Sequence, residues 1–126
     1  IDPNTTDQHW GFTMFDGLDV DFYGGERPLP DYEALGTHST DLWTTKAVSV
    51  IEAHDFSSTP LFLYLGYQAP HSPLQVPPVE SSVWSQCLEE TPNVDRATYC
   101  AMVSHLDLGV GRVLQSLEAS NAWGTG

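Results

Sequence analysis

The most distinctive hydrophobic feature of the chain is the uninterrupted apolar run Leu61–Leu65, which lies between the breaker residues Pro60 and Gly66. An apolar run of this length predicts a strand that is buried on both faces, here over residues 61–67. Strands of this kind belong to parallel sheets, and ligands collect beyond their carboxyl ends. A second and weaker strand is predicted over residues 18–23.

A stretch over residues 40–54 repeats apolar side chains with the helical period of 3.6 residues. We expect Ser39 or Thr40 to cap this helix, because a side-chain oxygen can accept a backbone N–H of the first turn. Helix, short loop and strand in this order form one unit of an open parallel sheet. The face expected to cover that sheet contains Trp43, Ala47, Val50 and Ile51.

The longest predicted helix covers residues 93–120, with Asn93 or Asp95 as its cap. Gly109 and Gly111 interrupt its apolar stripe, and each glycine costs roughly 1 kcal/mol against alanine in a helix. We therefore expect a close approach at this point, most simply by the sheet. The stripe contains Tyr99, Met102, Val103, Leu106, Val110, Val113, Leu114 and Leu117.

The rest of the hydrophobic pattern predicts few further helices or strands. A short helical turn is predicted from Ser81, and His105 falls on the side of the long helix away from Tyr99, where we expect it to be exposed. A strand that is apolar on both faces needs neighbouring strands and covering helices, and the chain predicts too few of them. We therefore expect residues 1–126 to be a fragment of a larger α/β protein without a complete domain.

The charge balance limits the partners that this surface can attract. Seventeen acidic residues against four Lys and Arg give a net charge of −13. Such a surface repels polyanions and argues against nucleic acid as a partner. No apolar run reaches the length of a transmembrane helix.

The chain contains two cysteines and one N-glycosylation sequon, which are candidate sites of covalent modification. Cys87 and Cys100 are either two buried free thiols or, in an oxidising compartment, a disulfide pair. Asn4 begins the triplet Asn-Thr-Thr, which is an acceptor sequence for N-glycosylation.

His71 is the main candidate for chemistry. The chain turns after the apolar run and presents His71, and the prolines Pro73, Pro77 and Pro78 stiffen the segment that follows. A histidine on a stiff loop beyond a buried strand is well placed for catalysis. The pattern alone nevertheless favours an ordinary surface histidine, because position by itself shows no perturbed site.

Three stretches, in order along the chain, resemble segments of the sulfatases, in particular their arylsulfatase B-like branch. The resemblance covers about residues 36–123. Either of its two more specific stretches would be weak evidence by itself. The stretches are Ser39-Thr40-Asp41-Leu42-Trp43, then Phe62-Leu-Tyr-Leu65 with Ala69-Pro-His71-x-Pro-Leu-Gln-Val-Pro77, and Tyr99-x-Ala-Met-Val-Ser104-x-Leu-Asp-x-x-Val-Gly111.

The resemblance implies an α/β protein with the alkaline phosphatase-like sulfatase fold. Residues 1–126 would be the central part of the catalytic domain, an incomplete fragment of a mixed, mainly parallel sheet flanked by helices. A lysosomal or secreted location is implied as well, which would favour a Cys87–Cys100 disulfide and glycosylation at Asn4.

The resemblance also implies the chemistry. Sulfatases use a formylglycine made from the cysteine of a Cys-x-Pro-Ser-Arg motif, together with Ca²⁺ held by Asp and Asn side chains. Neither Cys87 nor Cys100 lies in such a motif, and we expect nucleophile and calcium ligands outside this chain. His71 matches the family histidine that contacts the sulfate ester near its leaving-group oxygen, which makes it the expected catalytic and substrate-binding residue.

The expected function is therefore a sulfuric ester hydrolase of the arylsulfatase type, similar to N-acetylgalactosamine-4-sulfatase, acting on a sulfated small molecule or sulfated sugar. We expect the 126 residues alone to be inactive. Two alternatives stay open. One is a phosphatase or phosphodiesterase of the same superfamily, and the other is a secreted sulfatase-like binding protein without catalysis.

Overall fold

The computed structural model describes residues 14–16, 19–22, 37–77 and 81–122. In chain order the elements are the strands β1 (Met14–Asp16) and β2 (Asp19–Phe22) and the helices α1 (Ser39–Ala53), α2 (Ser81–Glu90) and α3 (Val94–Ala119). Asn4 lies outside the described residues.

Strands β1 and β2 form a two-stranded antiparallel sheet in which Met14 lies opposite Phe22 and Asp16 lies opposite Asp19. This confirms the weaker strand prediction over residues 18–23. In the part of the chain that the structure describes, this pair is the whole sheet, and it is antiparallel. The expected parallel sheet is not present there.

The prediction of a strand buried on both faces over residues 61–67 is wrong for this chain. The segment runs without strand pairing. Phe62 is 91% exposed and Tyr64 is 86% exposed, whereas Leu61, Leu65 and Tyr67 are half-buried. The alternation is that of a strand with one face packed and one face open. A β-strand also needs an adjacent strand to which it hydrogen-bonds, and no described residue pairs with residues 61–67 in this way.

Helices α1 and α3 confirm the two helical predictions and pack against each other. Their contacts advance in the same direction along both helices, from Asp41 with His105 to Thr44 beside Gly109. The two helices therefore run parallel. At 1.5 Å rise per residue, the 26 residues of α3 span about 39 Å.

The helix caps confirm one prediction and correct another. Asn93 caps α3 as expected, and its side chain accepts the backbone N–H of Arg96 at 2.9 Å. At α1 the cap is His38, because Ser39 and Thr40 are already inside the helix and buried. Nδ1 of His38 accepts the N–H of Thr40 at 3.3 Å.

The buried helical faces differ from the predicted ones because the helices pack on each other through small side chains. In α1 the face is rotated, so that Val50 is 45% exposed. In α3 the larger apolar residues of the predicted stripe are partly open, among them Tyr99 and Leu114. The buried positions are Ser39, Thr40, Thr44, Ala47 and Ile51 in α1 and Ala97, Ala101, Met102, Gly109 and Ser116 in α3.

Helix α2 is longer than the turn predicted from Ser81, and a disulfide between Cys87 and Cys100 ties it to α3. Cys87 is buried with Ala97 and Ala101. Partly buried apolar side chains surround this cluster: Val76, Val83 and Trp84.

Gly109 marks a close approach, as predicted, but the partner is a helix and not a sheet. A Cβ at this position would lie 2.6 Å from Oγ1 of Thr44 and 3.4 Å from the hydroxyl of Tyr67. No close approach explains the glycine at position 111, since a Cβ there would meet no described atom within 4 Å.

Candidate active site at the His71 loop

The His71 loop, residues 68–77, follows the extended segment 61–67 and is held at the N-terminal half of α1. The backbone N–H of His71 donates to the carbonyl of Gln68 at 2.9 Å and closes a turn. The peptide bonds before Pro70 and Pro73 are both cis. Ala69 is buried, whereas His71 is exposed. The loop thus has a packed base and presents its histidine at the surface.

The ring of His71 has a defined orientation. Its Nδ1 lies 2.6 Å from the carbonyl oxygen of Ser72. A carbonyl oxygen only accepts, so Nδ1 carries the proton in this contact. Nε2 is then the ring nitrogen that can exchange a proton with a bound group.

The N-terminal side of the His71 loop, which we call its first leg, is anchored to α1 through the preceding residue Tyr67. Oγ1 of Thr44 donates to the carbonyl of Thr40 at 2.7 Å, and the hydroxyl of Tyr67 lies 2.9 Å from the same Oγ1. Because Thr44 has a single hydroxyl proton, Tyr67 is the donor in this second bond. The missing side chain at Gly109 leaves room for both groups.

The second leg is anchored to the start of the same helix. Nε2 of His38 lies 3.3 Å from the backbone carbonyl oxygen of Gln75. His38 is 3% exposed, and its ring contacts the ring of His105 edge to face, with centroids 5.5 Å apart. Helix α1 therefore holds the loop on both sides of His71.

An ion pair joins α1 to α3 beside this anchor. Nε2 of His105 lies 3.2 Å from Oδ2 of Asp41. The prediction of an exposed His105 is therefore wrong, because the parallel packing of the helices turns it toward α1. The hydrogen bond from His105 lowers the pKa of Asp41 below its ordinary value, and burial opposes this with a smaller effect.

The described residues do not suit a calcium ion. His38, Asp41 and His105 have potential metal-ligand atoms within 4.8 Å of one another. In the described part of the chain, these three are the group of side chains that could hold a metal ion. Calcium takes six to eight oxygen ligands, whereas two of these three ligands are imidazoles. Cys87 and Cys100 are bonded to each other, so neither thiol is available as a nucleophile.

A separate apolar groove of about 600 Å³ lies between the end of α1, the extended segment and the end of α3. Ile51, Leu63, Leu65 and Leu117 are among its lining residues, and His71 is not. The groove is therefore distinct from the His71 loop. In the described residues, no helix is both long enough and apolar enough to cross a membrane.

The sulfatase family model matches residues 1–124 of the chain. The chain belongs to the sulfatase family. The resemblance seen in the sequence is thereby confirmed at the level of the family. Arylsulfatase J of Mus musculus is 35% identical over 98 residues, which is 78% of this chain and 15% of that protein.

Two solved structures are similar to the chain. The crystal structure of Ps i-CgsB superposes with a TM-score of 0.61 at 28% identity and covers 83% of this chain and 21% of that one. The same protein in complex with k-i-k-neocarrahexaose gives a TM-score of 0.58 at 27% identity over the same shares. The sulfatase chain described here thus spans about a fifth or less of the length of these relatives.

The sequence marks His71 as a candidate, which stays a prediction, and it gave no expectation for the group at the start of α1. His38 directly precedes the Ser-Thr-Asp start of the helix, a position where an N-cap is expected, and this was the available signal. The partnership of Asp41 with His105 spans 64 positions and depends on helix packing, so no local pattern in the sulfatase chain reveals it.

Proposed function

We propose that the complete protein is a sulfuric ester hydrolase of the arylsulfatase type, with an activity similar to N-acetylgalactosamine-4-sulfatase. Residues 1–126 belong to the central part of its catalytic domain, and His71 is its catalytic and substrate-binding residue in this part. The observation that carries the proposal is an exposed histidine on a loop anchored on both sides, in a chain of the sulfatase family.

His71 would act on the leaving group. When the S–O bond of a sulfate ester breaks, the electron pair stays on the departing oxygen, which becomes negative. The proton on Nε2 of a His71 imidazolium can pass to that oxygen, and the ring becomes neutral. The bond from Nδ1–H to Ser72 keeps the ring in the orientation that this transfer needs.

The remaining catalytic groups come from outside residues 1–126 in this proposal. The family's formylglycine would supply the nucleophile, and its Ca²⁺ would supply positive charge beside the sulfate; both would be held by residues outside this chain. The disulfide of Cys87 and Cys100 and the imidazole-rich group near His38 fit neither role.

The substrate we propose is a sulfated sugar, or a sulfated small molecule used as a test compound. Support for a sugar comes from the relative that was solved with k-i-k-neocarrahexaose. A lysosomal or secreted location is supported by the Cys87–Cys100 disulfide, because such bonds persist in oxidising compartments. N-glycosylation at Asn4 belongs to the same proposal.

The test is hydrolysis of an aryl sulfate and of N-acetylgalactosamine 4-sulfate by the complete protein and by its His71→Ala variant. We expect kcat to fall by roughly 10²-fold or more, the usual range for a lost general acid. His54→Ala is the matched control. His54 is also a histidine whose ring contacts a backbone carbonyl, that of Thr59 at 2.8 Å, and it lies at the other end of α1.

Three results would contradict parts of the proposal. Equal turnover by wild type and His71→Ala would remove His71 from the mechanism. Hydrolysis of aryl phosphates with no hydrolysis of sulfates would favour the phosphatase alternative. Saturable binding of the sulfated sugar without any turnover would favour a sulfatase-like binding protein.

A further inference from the structure

His38 makes two hydrogen bonds at once, and they serve different elements. Nδ1 accepts the backbone N–H of Thr40 and caps α1, and Nε2 faces the carbonyl oxygen of Gln75 in the His71 loop. A neutral imidazole that carries its proton on Nε2 satisfies both contacts. The ring is 3% exposed, so water does not readily replace either partner.

The same ring is held from its other side by α3. His105 contacts it edge to face and is itself fixed by the 3.2 Å bond to Asp41. His38 therefore sits at a junction of three parts of the chain: the start of α1, the middle of α3 and the second leg of the His71 loop. Because of this position, the packing of α1 against α3 fixes the ring of His38, and the ring in turn fixes the carbonyl group of Gln75 in the loop.

A metal site is the obvious alternative for two histidines and an aspartate. The hydrogen bonds argue against it. Both ring nitrogens of His38 are used by backbone groups, and Nε2 of His105 is used by Asp41. A metal ion would have to break these contacts, including the helix cap, before it gained its ligands.

We propose that His38 is a positioning residue that fixes the His71 loop by donating from Nε2 to the carbonyl oxygen of Gln75. Gln75 follows His71 by four residues, and Pro73 and Pro77 stiffen the segment around it. A displacement of Gln75 is therefore carried toward His71. The consequence for turnover rests on the proposed sulfatase function, whereas the consequence for loop order does not.

Two variants of His38 separate its two bonds. In His38→Asn the shorter amide reaches the place of Nδ1 and keeps an acceptor for the Thr40 N–H, but it has nothing at the place of Nε2. In His38→Gln the longer amide places an N–H near Nε2, where it can donate to Gln75, and the cap acceptor is lost. His54→Asn is the matched control, since it removes the similar bond to Thr59 at the other end of α1.

The first measurement is amide hydrogen exchange of peptides from the His71 loop and from the first turn of α1 in the complete protein. In His38→Asn we expect exchange in the loop to rise roughly three- to tenfold, the equilibrium factor of one lost hydrogen bond, with the first turn little changed. In His38→Gln the first turn should exchange faster and the loop should stay protected. His54→Asn should leave the loop as in wild type.

The second measurement is turnover of an aryl sulfate by the same proteins. We expect His38→Asn to lower kcat by about tenfold with little change in KM, because a small misplacement of a catalytic group costs rate. His38→Gln should restore most of that loss although its cap is weaker. If His38 had a merely structural role, the turnover of the variants would instead follow the order of their thermal stability.

Loop exchange in His38→Asn equal to wild type would overturn the proposal, and so would equal loop exchange in the Asn and Gln variants. A protein that hydrolyses no sulfate ester at all would contradict the proposed function, and the exchange data would still decide the role of His38. Loss of turnover in His71→Ala together with unchanged loop exchange in His38→Asn would reject the positioning role alone.

Discussion

Gly109 lies at a close approach between α1 and α3. A methyl group there would come within 2.6 Å of Oγ1 of Thr44, which is closer than real Cβ atoms approach other atoms. Thr44 cannot move freely, because its hydroxyl is bonded to Thr40 and Tyr67. The glycine therefore secures the first leg of the His71 loop as well as the helix contact.

We predict that Gly109→Ala destabilises the complete protein by about 1–3 kcal/mol, the usual cost of overpacking. Gly111→Ala is the matched control, two positions along the same helix. Its new methyl group meets no described atom within 4 Å, so the gain in helix propensity should stabilise the protein by up to about 1 kcal/mol. Urea unfolding of both variants measures the difference, and equal effects of the two substitutions would contradict the close approach.

The Asp41–His105 pair makes a second residue-scale prediction, about pH. The pKa of Asp41 is lowered in the folded state, chiefly by the hydrogen bond from His105. A carboxyl group of this kind stabilises the fold fully above its unfolded pKa of about 3.9 and loses that contribution as the pH falls through the lower folded value. Wild-type stability should therefore drop below pH 4 more steeply than that of Asp41→Asn.

The double variant Asp41→Asn/His105→Gln tests whether the effect belongs to the pair. Residues in direct contact give non-additive effects, so the double variant should lose less stability than the sum of the two single variants at pH 6. Additive losses, or equal acid sensitivity in Asp41→Asn and wild type, would show that the contact does not hold α1 to α3.

Single residues of the site differ in how far the sequence could reveal them. His71 is a candidate because a family motif of consecutive residues surrounds it, and its role stays a prediction. His38 carries no such motif, and its role depends on a carbonyl 37 positions away. His105 was wrongly expected to be exposed, because its partner lies on α1 and the pattern of α3 contains no information about that helix.

At the scale of elements, the disulfide is the strongest link between α2 and α3. It closes a loop with a sequence separation of 13, and such a loop is expected to stabilise the folded state by about 3 kcal/mol. Helix α2 otherwise contacts α3 through a small cluster around Cys87, Ala97 and Ala101. Its attachment should therefore depend on the covalent bond.

We predict that the double variant Cys87→Ser/Cys100→Ser detaches α2 locally and leaves α1 folded against α3. Limited proteolysis of the complete protein should cut within residues 81–92 much faster than in wild type, and hydrogen exchange there should rise. Peptides from residues 39–53 provide the internal control and should not change. Unaltered cleavage of α2 would mean that the cluster holds it without the disulfide.

Element prediction succeeded where the signal is local. The period of 3.6 residues and the cap at Asn93 are properties of neighbouring residues, and α1 and α3 lie where they were predicted. The strand over residues 61–67 was predicted from an equally local apolar run, but a strand exists only through pairing with another segment. The described chain keeps the extended form of that segment and supplies no partner.

At the scale of the whole molecule, the described residues bury few large apolar side chains and leave many of them exposed. The buried apolar side chains include four alanines and a cysteine, with Ile51 and Met102 as the large ones. Outside, Phe62 is 91% exposed and Tyr64 is 86% exposed, next to a groove that is lined mostly by apolar residues. A core of this composition gives little hydrophobic stabilisation for the number of residues it must order.

The 126-residue chain taken alone should therefore lack a cooperative thermal transition and should bind a dye that reports exposed apolar surface. An aromatic side chain offers roughly 150–250 Å², and covering it is worth about 25 cal/mol per Å², so two open rings represent several kcal/mol of unused stabilisation. Replacing Phe62 and Tyr64 by serine should lower dye binding. A sharp calorimetric transition without dye binding would show that the helices alone suffice, and the open face of residues 61–67 would then be a stable surface of the molecule.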